Sequence, residues 1–460
     1  MTTLREVARI ISGTLIEGNL QDPVSVLDAT TDSREAPAGG LFFARIGAEN
    51  DGLDFLEGAI SGKVAAVVTQ NAEKARRIAG GRIGVIEVPE VTVAYGDLAR
   101  WYLGTLRDHL TVFGITGSAG KTTTKDLLWA ICDACAPAVS PVGSFNNEVG
   151  LPRTIFSARP QTRYLVLEMG ASGPGHLQYL TGIAPVDVAV ELMVGRAHLG
   201  GFGTIEDVAC AKSELLDGIT EAGRAVLNAD DPLVAQMAAK TANPFWFGKH
   251  SSADLWASDI QVDDLGKAQF VANFEGEREH IHLGLVGVHH VTNALAALGA
   301  AIVGGIDFRR ACRAIAGLEA KSPHRMAVKK VRGATIIDDA YNANPDSMMA
   351  ALSALERMAP KRKVAVLGQM LELGPDSPQI HAGIGQAVLA AGVSIFVGVG
   401  ADMKFATDAV SGHAETHWFE TWQEASSLVE NTIKPTDTAL FKGSNGSGVW
   451  HLADLFTEGD

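Results

Sequence analysis

The chain has 460 residues, 47% apolar and 20% charged, which is enough apolar material for about three cores and excludes global disorder. Thirty-eight basic against fifty-three acidic residues leave a net charge of −15, which argues against a nucleic-acid partner. No run approaches the length of a membrane span and no basic segment leads into an apolar block, so a cytoplasmic protein without membrane insertion is expected.

Residues 1–88 alternate short apolar runs with turns, the pattern of a small α/β domain, with strong turn signals at Asp32-Ser33-Arg34 and Gly39-Gly40. A helical stretch over 93–110 leads into an apolar strand at 112–116. From there to about residue 317, strands and helical segments alternate, which predicts a parallel sheet with crossover helices. A third unit opens after Lys321-Ser322-Pro323 and repeats that alternation. The expected fold class is α/β in three domains. They are a small N-terminal α/β domain (1–88), a central parallel-sheet domain (89–317) and a C-terminal α/β domain (318–460). Four cysteines do not make a disulfide framework, and Cys132 and Cys135, inside a predicted helix, read as structural thiols.

The strongest local signal is Gly117-Ser118-Ala119-Gly120-Lys121-Thr122-Thr123, which follows the strand at 112–116 and opens a helix. Glycines let backbone N–H groups converge on phosphate oxygens, and a helix N-terminus adds a positive dipole. In such a loop Lys121 reaches the terminal phosphates and the Thr122 hydroxyl ligates Mg²⁺. Ile115 stands where the longer form of the pattern has glycine, so the sequence fits the shorter G-x-x-G-K-[ST].

Further motifs accompany this loop. They are Asn146-Asn147-Glu148-Val149-Gly150-Leu151-Pro152, Leu167-Glu168-Met169-Gly170, Ala197-His198-Leu199, Ala211-Lys212 and Gly287-Val288-His289 with Asn293-Ala294. Ser322-Pro323-His324-Arg325-Met326 and Asp338-Asp339-Ala340-Tyr341-Asn342-Ala343-Asn344-Pro345 complete the set. With these, nearly the whole chain resembles the ATP-dependent Mur ligases of bacterial cell-wall synthesis.

The resemblance implies an amide ligase that uses ATP and Mg²⁺, with UDP-linked muramoyl tripeptide and D-alanyl-D-alanine as partners, acting as a monomer. It makes 1–88 a UDP-substrate-binding domain, 89–317 a central P-loop parallel-sheet ATPase domain and 318–460 a C-terminal Rossmann-like ligase domain. It implies that Glu168, His198 and Thr122 ligate metal and that Lys212 does so as a carbamate; on its amphipathic helix alone, Lys212 reads as a solvated lysine. Lys121, Lys212, His198 and Glu168 would carry the chemistry. Asn293, Arg325 and Asp339 would join the loop 117–123 in binding ATP, Arg325 arriving from the third domain. Ser33, Arg34, Asn146, Asn147, Tyr341, Asn342 and Asn344 would bind substrate, the first two near UDP. Gln369, where the family usually has an acid, and Asn445, where it usually has arginine, leave open another carboxylate and amine pair.

Overall fold

The computed structural model describes residues 2–47, 49–195, 203–264, 266–319, 322–358 and 362–457. These form three main sheets, each flanked by helices, and a two-stranded ribbon pairing Thr2–Thr3 with Pro23–Val24.

The first sheet has five strands in the order Thr14–Glu17, Gly84–Glu87, Ala66–Thr69, Leu41–Phe43, Ala29–Thr30. The expected boundary at 88/89 is not a break in packing. It falls just before the helix Val91–Gly104, whose Tyr95 ring lies 5.0 Å from Phe43 of the first sheet and 5.4 Å from Phe156 of the next unit. Leu41, Val68, Val112 and Leu165 share one continuous core across that joint, which resists independent motion of the two units.

The central sheet has nine strands. Seven run parallel, from Ala138–Val139 at one edge through Tyr164–Glu168, Thr111–Thr116 and Val186–Glu191 to Leu255–Val262, as the alternation of strands and helices predicts. The last two, Lys267–Phe274 and Glu277–Val286, pair antiparallel. The reason is local. Only Glu275 and Gly276 join them, both at positive φ (+48° and +84°), a hairpin turn with no room for a crossover helix.

The third sheet orders Ala327–Val331, Ala334–Asp339, Thr438–Lys442, Lys363–Gly368, Ile395–Val399 and Glu415–Phe419, parallel except for its first edge strand. Its fully buried strand Lys363–Gly368 is the continuous apolar run expected of a sheet covered on both faces. The helix Lys121–Asp133 ends between Cys132 and Cys135, so the first thiol is buried in its last turn and the second lies beyond it; both are free.

Candidate functional site

The strand Thr111–Thr116 is central, hydrogen-bonded to Tyr164–Glu168 on one side and to Val186–Glu191 on the other. Ile115 is fully buried within it, so glycine at that position has no part in the turn. The turn begins at Gly117 and ends at Gly120, with φ of +150° and +84°. A Cβ on Gly120 would also collide with the side-chain oxygen of Asn293. No side chain caps the helix Lys121–Asp133, which leaves its first N–H groups available to an anion.

Above this loop lies a cavity of about 1010 Å³ whose walls come from the central and C-terminal domains. Lys121 Nζ donates to Gly117 O at 2.6 Å, folded back over its own loop. Enclosure by protein lowers the Lys121 pKa; the Glu168 carboxylate opposes this and the Arg325 guanidinium adds to it.

Glu168, 1% exposed, ends its strand beside the loop and accepts twice: from Thr122 Oγ1 and from Asn146 Nδ2, each at 2.9 Å. The Thr122 hydroxyl is committed to Glu168, so the Ser144 hydroxyl, 3.0 Å away, donates to it. Ser144 in turn accepts from Arg325 Nη2 at 2.8 Å. One chain of hydrogen bonds thus joins the P-loop helix, the strand Tyr164–Glu168 and the third domain. Ser322 Oγ, donating to Asp126 at 2.7 Å, adds a second link from the domain joint to that helix.

Lys212 is 4% exposed, not solvated. Its helix Ile205–Asp217 starts at a capping box of Thr204 and Asp207 and lays Val208, Ala211 and Leu215 inward. Lys212, four residues after Val208, shares that inward face. Burial first, and then the Lys121 ammonium, lower its pKa to about 7, with Glu191 opposing. Glu191 ends the strand Val186–Glu191 with no exposed surface, and neither carboxyl oxygen has a hydrogen-bond partner among the described residues. Burial pushes its carboxyl well above the usual range; Lys212 opposes that shift and Asp231 adds to it.

From the third domain, Arg325 sits 4.0 Å over the Tyr341 ring, and its buried Nε has no hydrogen-bond partner among the described residues. Its neighbours His324 and Met326 hold positive φ (+57° and +50°). This turn is braced by Asp339, which accepts from Met326 N at 3.1 Å and pairs with Lys442 at 2.6 Å. Lys442, 2% exposed, also donates to Asn342 O at 2.9 Å. Asn344 caps the helix Pro345–Arg357 and donates to Ser118 O at 3.2 Å, touching the P-loop directly.

The residues singled out in the sequence distribute as follows. Gly117 through Thr123, Asn146, Asn147, Glu168, Lys212, Asn293, Arg325, Asp339, Tyr341, Asn342 and Asn344 all line the one cavity. Asn293 lies within the helix His290–Val303, not at its cap. Ser33 and Arg34 stand apart in the first domain, Arg34 exposed and paired with Asp32 at 2.6 Å. His198 lies outside the described residues. Gln369 turns away to accept from Asp402 N at 3.4 Å, and Asn445 is exposed. Sequence reasoning missed Ser144, two residues before the Asn146 motif, and Lys442, in the last strand of the third sheet. It also missed Glu191, whose only signal is an acid following the apolar run Val188-Ala189-Val190 at the end of a central strand.

The donor set suits a hard divalent cation: a hydroxyl and a buried carboxylate in contact, with an amide beside them and no sulfur. Lys121, Arg325 and the helix N-terminus supply positive charge where a polyphosphate would lie, and such an arrangement stabilises phosphoryl transfer.

Residues 115–301 match the Mur ligase middle domain, and residues 324–445 match the Mur ligase glutamate ligase domain. The UDP-N-acetylmuramoyl-tripeptide–D-alanyl-D-alanine ligase of Mycobacterium tuberculosis is 35% identical, with 100% of this chain and 98% of the relative covered. That of Bacillus subtilis is 31% identical, with 96% of each covered. The crystal structure of MurF from Acinetobacter baumannii superposes with a TM-score of 0.88 at 28% identity, covering 99% of both chains. MurF ligase from Thermotoga maritima in complex with ADP gives 0.80 at 28%, covering 94% of this chain and 98% of the other.

Proposed function

The chain belongs to the Mur ligase family, and from that membership we infer that it joins D-alanyl-D-alanine to a UDP-N-acetylmuramoyl tripeptide, converting ATP to ADP and phosphate. The observation that carries this for the present chain is the line of contacts Glu168, Thr122, Ser144 and Arg325, which unites a phosphate loop with an arginine from another domain.

A carboxylate has no adequate leaving group at neutral pH, so its oxygen first attacks the γ-phosphorus of ATP, the bond from that phosphorus to the β,γ-bridging oxygen breaks, and ADP leaves. The amine then attacks the acyl carbon of the acyl phosphate, the C–O bond to phosphate breaks, and the amine loses its proton. Bringing two anions together requires cations. Lys121, released from Gly117 O, and Arg325, held over Tyr341, meet that need from opposite walls. Thr122 and Glu168 would hold Mg²⁺, which offsets phosphate charge when bound. His198 joins them in this reading. Lys212 is a carbamate in it: its buried nitrogen, with a pKa lowered to about 7, provides the neutral amine that CO₂ needs, and the product is an oxygen ligand.

Asn293 and Asp339, beside the loop 117–123, complete the ATP site. Asn146, Asn147, Tyr341, Asn342 and Asn344 bind the peptide and the incoming amine. Ser33 and Arg34 hold UDP in the first domain. Support for this last assignment is the pair between Glu35 and Arg153 at 2.6 Å, which sets that turn beside the helix Gly150–Ser157 following Asn147. Action as a monomer belongs to this reading. No helix among the described residues is long and apolar enough to cross a membrane. Four free thiols support a reducing, cytoplasmic location.

ADP release should be measured with UDP-muramoyl tripeptides ending in lysine or diaminopimelate, with and without D-alanyl-D-alanine. Turnover that needs the tripeptide and dipeptide together is expected. Turnover only with some other carboxylate and amine would contradict the reading.

A further inference from the structure

Glu191 has no part in the contacts that join the P-loop to the third domain, yet it is fully buried in the central sheet with both carboxyl oxygens unpartnered among the described residues. A buried carboxyl without a hydrogen bond is unfavourable in either protonation state, and such a group persists where it serves the site. Its surroundings point to one neighbour. Glu191 is in parallel register with Thr116, the last strand residue before the phosphate loop, so the two side chains share a face of the sheet. The Thr116 hydroxyl is likewise buried and without a partner among the described residues. Ala189, two residues before Glu191 and on the same face, belongs to the core into which the helix Ile205–Asp217 packs Val208 and Leu215. That helix carries Lys212 on its inward side, at the cavity wall.

We propose that Glu191 is a positioning residue for Lys212: one of its carboxyl oxygens, both free of partners among the described residues, comes to accept a hydrogen from Lys212 Nζ when that side chain takes its working position, and so turns the outer end of the side chain toward the cleft. An ammonium and a carbamate both keep an N–H on this nitrogen, so the same acceptor serves before and after modification. Thr116 stands beside Glu191 as the second polar group under the lysine. The proposal deepens the ligase reading above and rests on it.

Two variants separate the possibilities. Glu191→Gln keeps an acceptor oxygen, whereas Glu191→Val removes it and fits the apolar strand. Glu191→Val should lower kcat about tenfold while changing KM for ATP by less than about twofold, and Glu191→Gln should keep more than about a third of wild-type kcat. Tm of Glu191→Val, measured on the unmodified protein without ligands, should be equal or higher, because in that state a buried acid without a partner is gone. In Lys212→Ala assayed with acetate, adding Glu191→Val should cost less than about twofold, since no Nζ remains to be turned. Equal losses in the two backgrounds, or kcat of Glu191→Val within about twofold of wild type, would overturn the proposal.

Failure of acetate to restore Lys212→Ala would instead remove the carbamate reading. Acetylation of Lys212 by acetic anhydride then decides on Glu191, read by peptide mass spectrometry against the exposed Lys63. A change in that relative rate of about fivefold or more in Glu191→Val supports positioning, and less than about twofold contradicts it.

Discussion

In the outermost strand of the antiparallel flank of the central sheet, polar side chains face water and apolar ones face the core. Along Glu277–Val286, His280 and His282 are exposed while Ile281 and Leu283 are buried. At the cleft end of the same sheet, Thr116, Glu168 and Glu191 close three adjacent strands with at most 1% exposure. The first arrangement leaves its polar groups solvated and costs nothing. The second removes polar groups from water, and only Glu168 recovers hydrogen bonds within the protein. The contrast teaches that stability and chemistry are drawn from opposite flanks of one sheet. Substitutions in the flank should change stability and spare activity, and those at the cleft should do the reverse.

The largest test is Lys121→Ala. Loss of a cation aimed at the terminal phosphates should lower ADP formation about a thousandfold, or about 4 kcal/mol, with the circular dichroism melt unchanged. Retention of more than about a tenth of turnover would break the comparison on the cleft side.

Phe270→Ala should act on the flank. Phe270 is 2% exposed among Phe247, Leu255 and Phe308, and its loss should cost about 3 kcal/mol in urea unfolding while kcat stays within about twofold. A comparable fall in kcat at a temperature where the variant is folded would show that the flanks are coupled.

Ser144→Ala sharpens the cleft side, because it removes the hydroxyl between Thr122 and Arg325. A drop in kcat of about tenfold is expected, with stability changed by about 1 kcal/mol or less. An effect confined to stability would reduce Ser144 to a structural contact.

Arg309→Ala is the smallest. Its pair with Glu277 at 3.1 Å is exposed, so the change should be at most about 0.5 kcal/mol and fade with salt. A loss of about 2 kcal/mol would mean that this flank depends on charge rather than on its core.

These two regions also differ in how far the sequence exposes them. The phosphate loop is legible because its chemistry demands glycine, lysine and threonine at fixed spacing behind a strand. Glu168 is legible as an acid at a strand end facing that loop. Burial of Lys212 is not legible from its helix, since periodicity tells which residues share a face but not whether that face meets solvent or a cleft. Ser144 and Lys442 act through contacts across 181 and 103 residues of chain, to Arg325 and Asp339, which no local pattern encodes. The antiparallel flank is missed for a simpler reason. Strands there read like those before them, and only the two-residue turn at Glu275 and Gly276 distinguishes a hairpin from a crossover.

The most direct test of the account follows one oxygen atom. UDP-muramoyl tripeptide carrying ¹⁸O in its C-terminal carboxylate is incubated with ATP and D-alanyl-D-alanine, and product phosphate is examined by ³¹P NMR. Carboxylate attack on the γ-phosphorus, followed by amine attack on carbon, transfers one labelled oxygen to each phosphate from the doubly labelled substrate. That isotope shift is the predicted result; phosphate formed in step with the amide but free of label would contradict the acyl-phosphate route.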